Sequence, residues 1–264
     1  MNKRRVLYFL GLMAVTALPL IACNRWEPMP PAKASDIVLI SAATSLQDAL
    51  KTIEPLFERA YPNVQVTYNF GASGTLQQQI EQGAPTDVFI SAAQKQMNAL
   101  QKKDLILNDT RRNLLTNQLV LIVPKTSTLN LTSFQQLANA NVKKIAIGEP
   151  RSVPAGQYAE ELGRNLGILD PLEPKFVFSN TARNLIATVA SGNVDAGIVF
   201  ATDAKLSDQV KSVTTASANL HSPILYPAAV LKRSQQTQVA KTYLQFLESD
   251  SAKAVFKKFG FGTR

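Results

Sequence analysis

Two serines and two alanines stand where hydroxyls and backbone amides could hold an anion. Ser45 lies in Ala43-Thr44-Ser45-Leu46 and Ser73 in Gly71-Ala72-Ser73-Gly74-Thr75. Ala155 lies in Val153-Pro154-Ala155-Gly156-Gln157-Tyr158, and Ala182 in Asn180-Thr181-Ala182-Arg183. Each stretch follows an apolar run and opens a segment of helical spacing. Side chains this small leave backbone N–H groups uncovered. A helix start adds the positive end of the helix dipole to those free donors. Pro154 suits a first helical position, where its missing N–H would have no partner. The chemistry this pattern suits is capture of a small anion by neutral donors. Taken singly, the stretches have plainer readings. Ser45 with Asp48 makes an S-x-x-D helix-start signal, Gly71 to Gly74 makes a turn, and Pro154-Ala155 is only a helix start.

Catalytic alternatives find little to work with. A Ser-His-Asp hydrolase needs a histidine, and the chain has only His221, in the loop-like, exposed-looking Asn219-Leu-His-Ser-Pro223. Gly71-Ala-Ser-Gly-Thr75 misses the G-x-S-x-G elbow because position 75 is threonine. One histidine and one cysteine do not make a typical zinc or copper site. A G-x-x-x-x-G-K-[ST] loop is missing too, so any ATP hydrolysis belongs to a partner. The chain is expected to be no enzyme and to need no cofactor. It carries 28 basic and 19 acidic residues. Leaving out Lys3, Arg4 and Arg5 gives 25 against 19, an excess of +6. The basic residues come as scattered pairs such as Lys102-Lys103 and Lys257-Lys258, without interleaved aromatics, so nucleic-acid binding has little support.

The elements that must position these residues alternate along the chain. Apolar runs at 36–43, 63–70, 87–91, 118–124, 144–148, 176–178, 196–200 and 224–231 read as strands. Helices are expected over 45–60, 75–82 and 93–102, near 134–138, from Pro154 to 166, from Thr181 or Ala182 to 191, and from about 238 to 247. Leu46, Ala49, Leu50, Ile53, Phe57 and Ala60 form one apolar stripe on the first, and Pro55 inside it predicts a kink. Gly167 and Gly192 suit helix stops. Alternation of this kind predicts an α/β fold of parallel sheets covered by helices. Ligands of such sheets sit at the carboxyl ends of strands, where all four small-residue stretches fall.

The N-terminus is a separate matter. Lys3, Arg4 and Arg5 precede an uncharged, largely apolar run from Val6 to Ala22. This is the order of a secretory signal. Leu20-Ile-Ala-Cys23 resembles the bacterial lipoprotein signal, which implies cleavage before Cys23 and lipidation of its sulfur. Residues 1–22 are then signal peptide, and 23–35, with Pro28, Pro30 and Pro31, a tether.

Over 36–264 the resemblance is more specific. Ser41-Ala-Ala-Thr-Ser-Leu46, Gly83-Ala-Pro-Thr-Asp-Val-Phe-Ile-Ser-Ala92, Gly148-Glu-Pro150 with Val153-Pro-Ala-Gly156, Gly197-Ile-Val199 with Thr202-Asp-Ala204, and Phe256-Lys-Lys-Phe-Gly-Phe261 occur in order. They resemble phrases of the molybdate-binding proteins, the substrate-binding components of molybdate ABC importers. The resemblance implies a periplasmic-binding-protein fold: two α/β lobes, a ligand cleft between them and hinge strands. It places lobe I at 36–117 plus 226–264 and lobe II at 118–225. It implies a monomer outside the cytoplasm, held to a membrane by the lipid on Cys23. Such a protein delivers molybdate or tungstate to an ABC permease with its cytoplasmic ATPase. In that family hydroxyls and N–H groups hold the oxyanion without a cationic side chain. The matching positions here are the hydroxyls of Ser45 and Ser73 and the N–H groups of Ala155 and Ala182. The family's tyrosine, in Gly-Ile-Val-Tyr, falls on Phe200, which has no hydroxyl. Another tetrahedral oxyanion such as sulfate is the alternative ligand, and a serine hydrolase the remote one.

If Cys23 carries the lipid, Cys23→Ala should move the protein from the membrane fraction to the soluble fraction and leave its ligand affinity unchanged. Fractionation of the variant with membranes, at unchanged processing, would mean a transmembrane anchor instead.

Overall fold

The computed structural model describes residues 36–263. The signal, tether and Cys23 assignments lie outside the described residues. The chain first lays down β1 (Asp36–Ala43), α1 (Gln47–Ala60), β2 (Val64–Gly71), α2 (Ser73–Glu81), β3 (Val88–Ile90), α3 (Gln94–Lys102) and β4 (Arg112–Thr116). It crosses at Asn117-Gln118 into a second set of elements. These are β5 (Leu119–Pro124), β6 (Ile145–Gly148), α4 (Pro154–Asn165), α5 (Leu169–Leu172), β7 (Phe176–Ser179), α6 (Ala182–Ala190), β8 (Ala196–Phe200), α7 (Ala201–Lys205) and β9 (Val210–Thr215). It then returns through residues 216–224 to β10 (Leu225–Val230), α8 (Thr237–Leu247), α9 (Asp250–Phe259) and β11 (Gly262–Thr263). The first lobe carries a six-stranded sheet ordered β11-β4-β10-β3-β1-β2, and the second a five-stranded sheet ordered β7-β6-β8-β5-β9.

The sheets are mixed, which corrects the expectation of parallel ones. β1 runs parallel to β2 and β3, and β6 to β7 and β8. β5 and β10 run antiparallel to their neighbours. The reason lies in the two crossings. β1, β2, β3 and β8 finish at the cleft, where helices begin. A strand that enters from the other lobe starts at the cleft and must run against them. β5 and β10 are those strands.

Elements with one clear period are where the sequence places them. In α1 the buried stripe is Ala49, Leu50, Ile53 and Phe57, with Ala60 exposed and Pro55 on the exposed side. All six residues of β5 are buried. Gly167 and Gly192 end their helices with φ of +69° and +73°, the left-handed region that suits glycine. β4, β9 and α9 were not expected. Arg112-Asn-Leu-Leu-Thr116 and Val210-Lys-Ser-Val-Thr-Thr215 are part exposed and polar, so no apolar run marks them. α9 buries only Ala252 and Phe256, and its start is signalled by Ser249, which accepts from Ala252 N–H. Residues 135–138 form a 3₁₀ turn rather than a helix. His221, expected at the surface, is buried, its Nδ1 2.8 Å from the Ser222 carbonyl and its ring edge-on to Tyr158. Among the described residues no helix is long and apolar enough to cross a membrane.

Asp203, in α7 behind β8, is a buried carboxyl whose Oδ2 has no hydrogen-bond partner. Burial pushes it up to about 7, with Arg183 opposing the shift and Asp48 adding to it. In the unfolded chain an aspartate titrates near ~4. Between those values the folded protein binds more protons than the unfolded one, so this group makes stability fall as pH rises. Asp203→Asn should therefore raise the melting temperature at pH 8 and flatten its decline from pH 5 to 8. Parallel melting curves for the two proteins would contradict the burial penalty.

Candidate functional site

The four small-residue stretches meet at the seam between the lobes. One cavity is lined by Ala43, Thr44 and Ser45 at the end of β1, by Gly71, Ala72 and Ser73 at the end of β2, by Val153 and Pro154 after β6, and by Ala182 after β7. Ala92 and Phe200 complete its wall. Its volume is about 10 Å³. That is about the space of one water, so the lobes stand closed on each other here and must part to admit a ligand. A wider groove of about 840 Å³ lies between α3 and α4, lined by Lys95, Glu160 and Arg164 among others. It holds none of the five expected site positions.

The helix starts around the cavity are short of caps. The turn at Thr44–Leu46 and helices α2 and α4 have no side chain bonded to their first N–H groups. At α6 the Thr181 hydroxyl serves the Asn184 N–H, two residues past Ala182. First-turn N–H groups have no helical carbonyl to donate to. Buried without a partner, each costs about 1–3 kcal/mol. Four helix starts, three of them without side-chain caps, thus border one cavity. Ala155, the second residue of α4, is fully buried just behind Pro154 and does not itself line the cavity.

Each of the two serine hydroxyls has one fixed polar neighbour. The Ala92 N–H donates to Ser73 Oγ at 3.0 Å, which takes one of its two lone pairs and leaves the Ser73 proton for another acceptor. The plainer reading of Ser45, a cap on its own helix, does not hold. Ser45 Oγ lies 3.0 Å from the Tyr226 hydroxyl instead. Tyr226 is wholly buried at the start of β10 and carries no local motif, so sequence reasoning missed it. Burial raises its pKa, and the neighbouring Asp203 raises it further, so the phenol stays protonated. Phe200, on the tyrosine position of the resemblance, is 1% exposed, with its ring between those of Tyr158 and Tyr226 at centroid distances of 6.3 and 6.1 Å.

The lobes touch across the cavity mouth. Gly74 N–H, in the first turn of α2, donates to the Ser152 carbonyl of the other lobe at 2.8 Å. A Cβ at Gly74 would stand 2.7 Å from Ser152 Cα and 2.8 Å from its carbonyl oxygen. Arg183, next to Ala182, forms an ion pair with Asp48 of α1. At the hinge, Asn117 Nδ2 donates to Thr202 Oγ1 at 2.9 Å.

Comparison with known proteins agrees with this architecture. Residues 38–262 match a family model described as bacterial extracellular solute-binding protein. YvgL of Bacillus subtilis (strain 168), provisionally named an ABC transporter substrate-binding lipoprotein, is 39% identical over 255 residues, 96% of this chain and 97% of that one. The molybdate-binding protein ModA of Haemophilus influenzae is 37% identical over 234 residues, covering 88% of this chain and 92% of its own length. A solved structure of the substrate-binding domain of a provisionally assigned molybdenum ABC transporter from Clostridium difficile is 44% identical and superposes with a TM-score of 0.69, covering 87% of this chain and 100% of that one. With its two α/β lobes, its hinge strands and a cavity at the seam between them, the chain belongs to the family of bacterial extracellular solute-binding proteins.

Proposed function

We propose that this protein captures molybdate, or the similar dianion tungstate, outside the cytoplasm and delivers it to an ABC permease with a cytoplasmic ATPase. The names of its relatives support the ligand and the partner. The observation that carries the reading is the meeting of four helix starts, three of them without side-chain caps, with two serine hydroxyls that bond to distant partners and not to their own helix starts. Such a lining offers donors and no carboxylate, and so suits a fully ionised oxyanion. In this reading Ser45 and Ser73 donate their hydroxyl protons. Ala155 and Ala182 donate N–H groups, and Phe200 supplies an apolar wall in place of a donor. Neutral donors meet the charge without an ion pair, which lets the anion leave when the lobes part. The protein acts as a monomer, tethered through a lipid on Cys23. A serine hydrolase lacks its base, since the partners of Ser45 and Ser73 are Tyr226 and the Ala92 N–H rather than His221.

Competition calorimetry with molybdate, tungstate, sulfate and phosphate tests the reading. Molybdate and tungstate should bind comparably. Phosphate near neutral pH keeps a proton, this lining has no carboxylate to accept it, and phosphate should be rejected. Ser45→Ala and Ser73→Ala should each weaken molybdate by about 1.5–3 kcal/mol, the scale of a hydrogen bond to a charged group. Tight phosphate binding, or sulfate binding above molybdate, would overturn the assignment.

Gly74→Ala separates closure from folding. Its Cβ meets backbone of the other lobe, which cannot give way as a side chain tip could. The variant should melt like the parent without ligand and bind molybdate at least tenfold more weakly, mainly through faster release. An unchanged dissociation rate would show that the Gly74–Ser152 contact plays no part in holding the ligand.

A further inference from the structure

Phe200 leaves the site without a tyrosine hydroxyl at that position, yet a tyrosine hydroxyl does reach the site's edge. Tyr226 Oη has two polar neighbours, Ser45 Oγ at 3.0 Å and Asn117 Nδ2 at 3.0 Å. The direction of the protons along this chain follows from the backbone. Asn117 Oδ1 accepts from the Gln118 N–H at 2.8 Å, so the carboxamide cannot be turned over. Its two Nδ2 protons go to Thr202 Oγ1 and to Tyr226 Oη. An amide nitrogen has no lone pair to offer, so the Tyr226 proton has one acceptor left, Ser45 Oγ. Pointing it elsewhere would leave a buried donor unmade. Ser45, its oxygen thus engaged, has its own proton free for the cavity it lines.

We propose that Tyr226 is a positioning residue that fixes the Ser45 hydroxyl as a donor to the bound oxyanion, its own orientation set by Asn117 at the hinge. The inference rests on the proposed oxyanion site. It explains how the site functions with phenylalanine at position 200: the phenol acts behind Ser45 rather than on the anion. Without it a serine hydroxyl can rotate, and some of its orientations turn a lone pair toward the ligand. Asn117 lies on the first crossing between lobes and Tyr226 directly after the second, so the chain of bonds is assembled by the hinge itself.

A double-mutant cycle read by calorimetry tests this. Tyr226→Phe keeps the ring that packs edge-on to Phe261 at 5.4 Å and removes only the hydroxyl. It should weaken molybdate binding about tenfold, the worth of one ordered hydrogen bond, with an unchanged melting profile. In a Ser45→Ala background the same substitution should cost less than twofold, because no hydroxyl remains to orient. A merely structural role would cost the same in both backgrounds and would sink the proposal, as would full affinity in Tyr226→Phe. Asn117→Asp gives a second reading if Tyr226→Phe folds poorly. A carboxylate accepts the Tyr226 proton and forces Ser45 to donate backwards. Its loss should exceed that in the Ser45→Ala background by at least fivefold, and an equal loss in both overturns the relay. If the parent protein binds none of molybdate, tungstate or sulfate, the oxyanion reading itself fails. If it binds and the cycle shows no coupling, only the role of Tyr226 fails.

Discussion

An N–H group in the first turn of a helix has no carbonyl behind it, and burial without a partner is expensive. Most helices solve this with a capping side chain or with water. Here three starts at the seam have no cap, and the fourth has its cap on a later N–H. The small residues that open these helices keep the donors within reach of whatever lies between them. This shared need for an acceptor is what supports reading the seam as the binding site, and the rest of the molecule can be read as the frame that brings the four starts to one cavity. Gly156 shows how tight that frame is: a Cβ there would stand 1.9 Å from the Gly148 carbonyl oxygen, so α4 starts directly on the end of β6.

The frame depends on two crossings of the chain. Because β1, β2, β3 and β8 end at the cleft, their following helices begin there. The returning strands β5 and β10 start at the same edge and therefore run antiparallel. Polar contacts between the lobes include a backbone bond at Gly74, the Asp48–Arg183 pair, Lys205 Nζ on the Lys258 carbonyl and the Asn117 amide on Thr202. A carrier needs this balance. Enough contact must form to shut water out, and little enough that the closed state does not persist without ligand.

Charge is handled sparingly around the seam. Arg183 is neutralised by Asp48, and burial pushes Asp203 up to about 7 rather than leaving it a fixed anion at neutral pH. Neutral hydroxyls and amides face the cavity. In the proposed reading their usefulness depends on which way each proton points, and the neighbours that bear on it lie outside the cavity, the Ala92 N–H for Ser73 and Tyr226 for Ser45.

What the sequence determined by itself was whatever is local. The apolar runs of β1 and β5, the stripe of α1, the stops at Gly167 and Gly192 and the small-residue helix starts are written in periods and spacings of a few residues. Those signals alone put Ser45, Ser73, Ala155 and Ala182 at strand-to-helix turns. The polar, half-exposed strands β4 and β9 had no such signal, because their pairing partners lie far along the chain. Strand direction was out of reach for the same reason, since it follows from where the chain crosses between lobes. Only the tertiary structure decided that Ser45 bonds across 181 residues to Tyr226 instead of capping its own helix. A helix-start signal describes what a hydroxyl can do when nothing else is near, and burial beside a phenol offers it a stronger alternative.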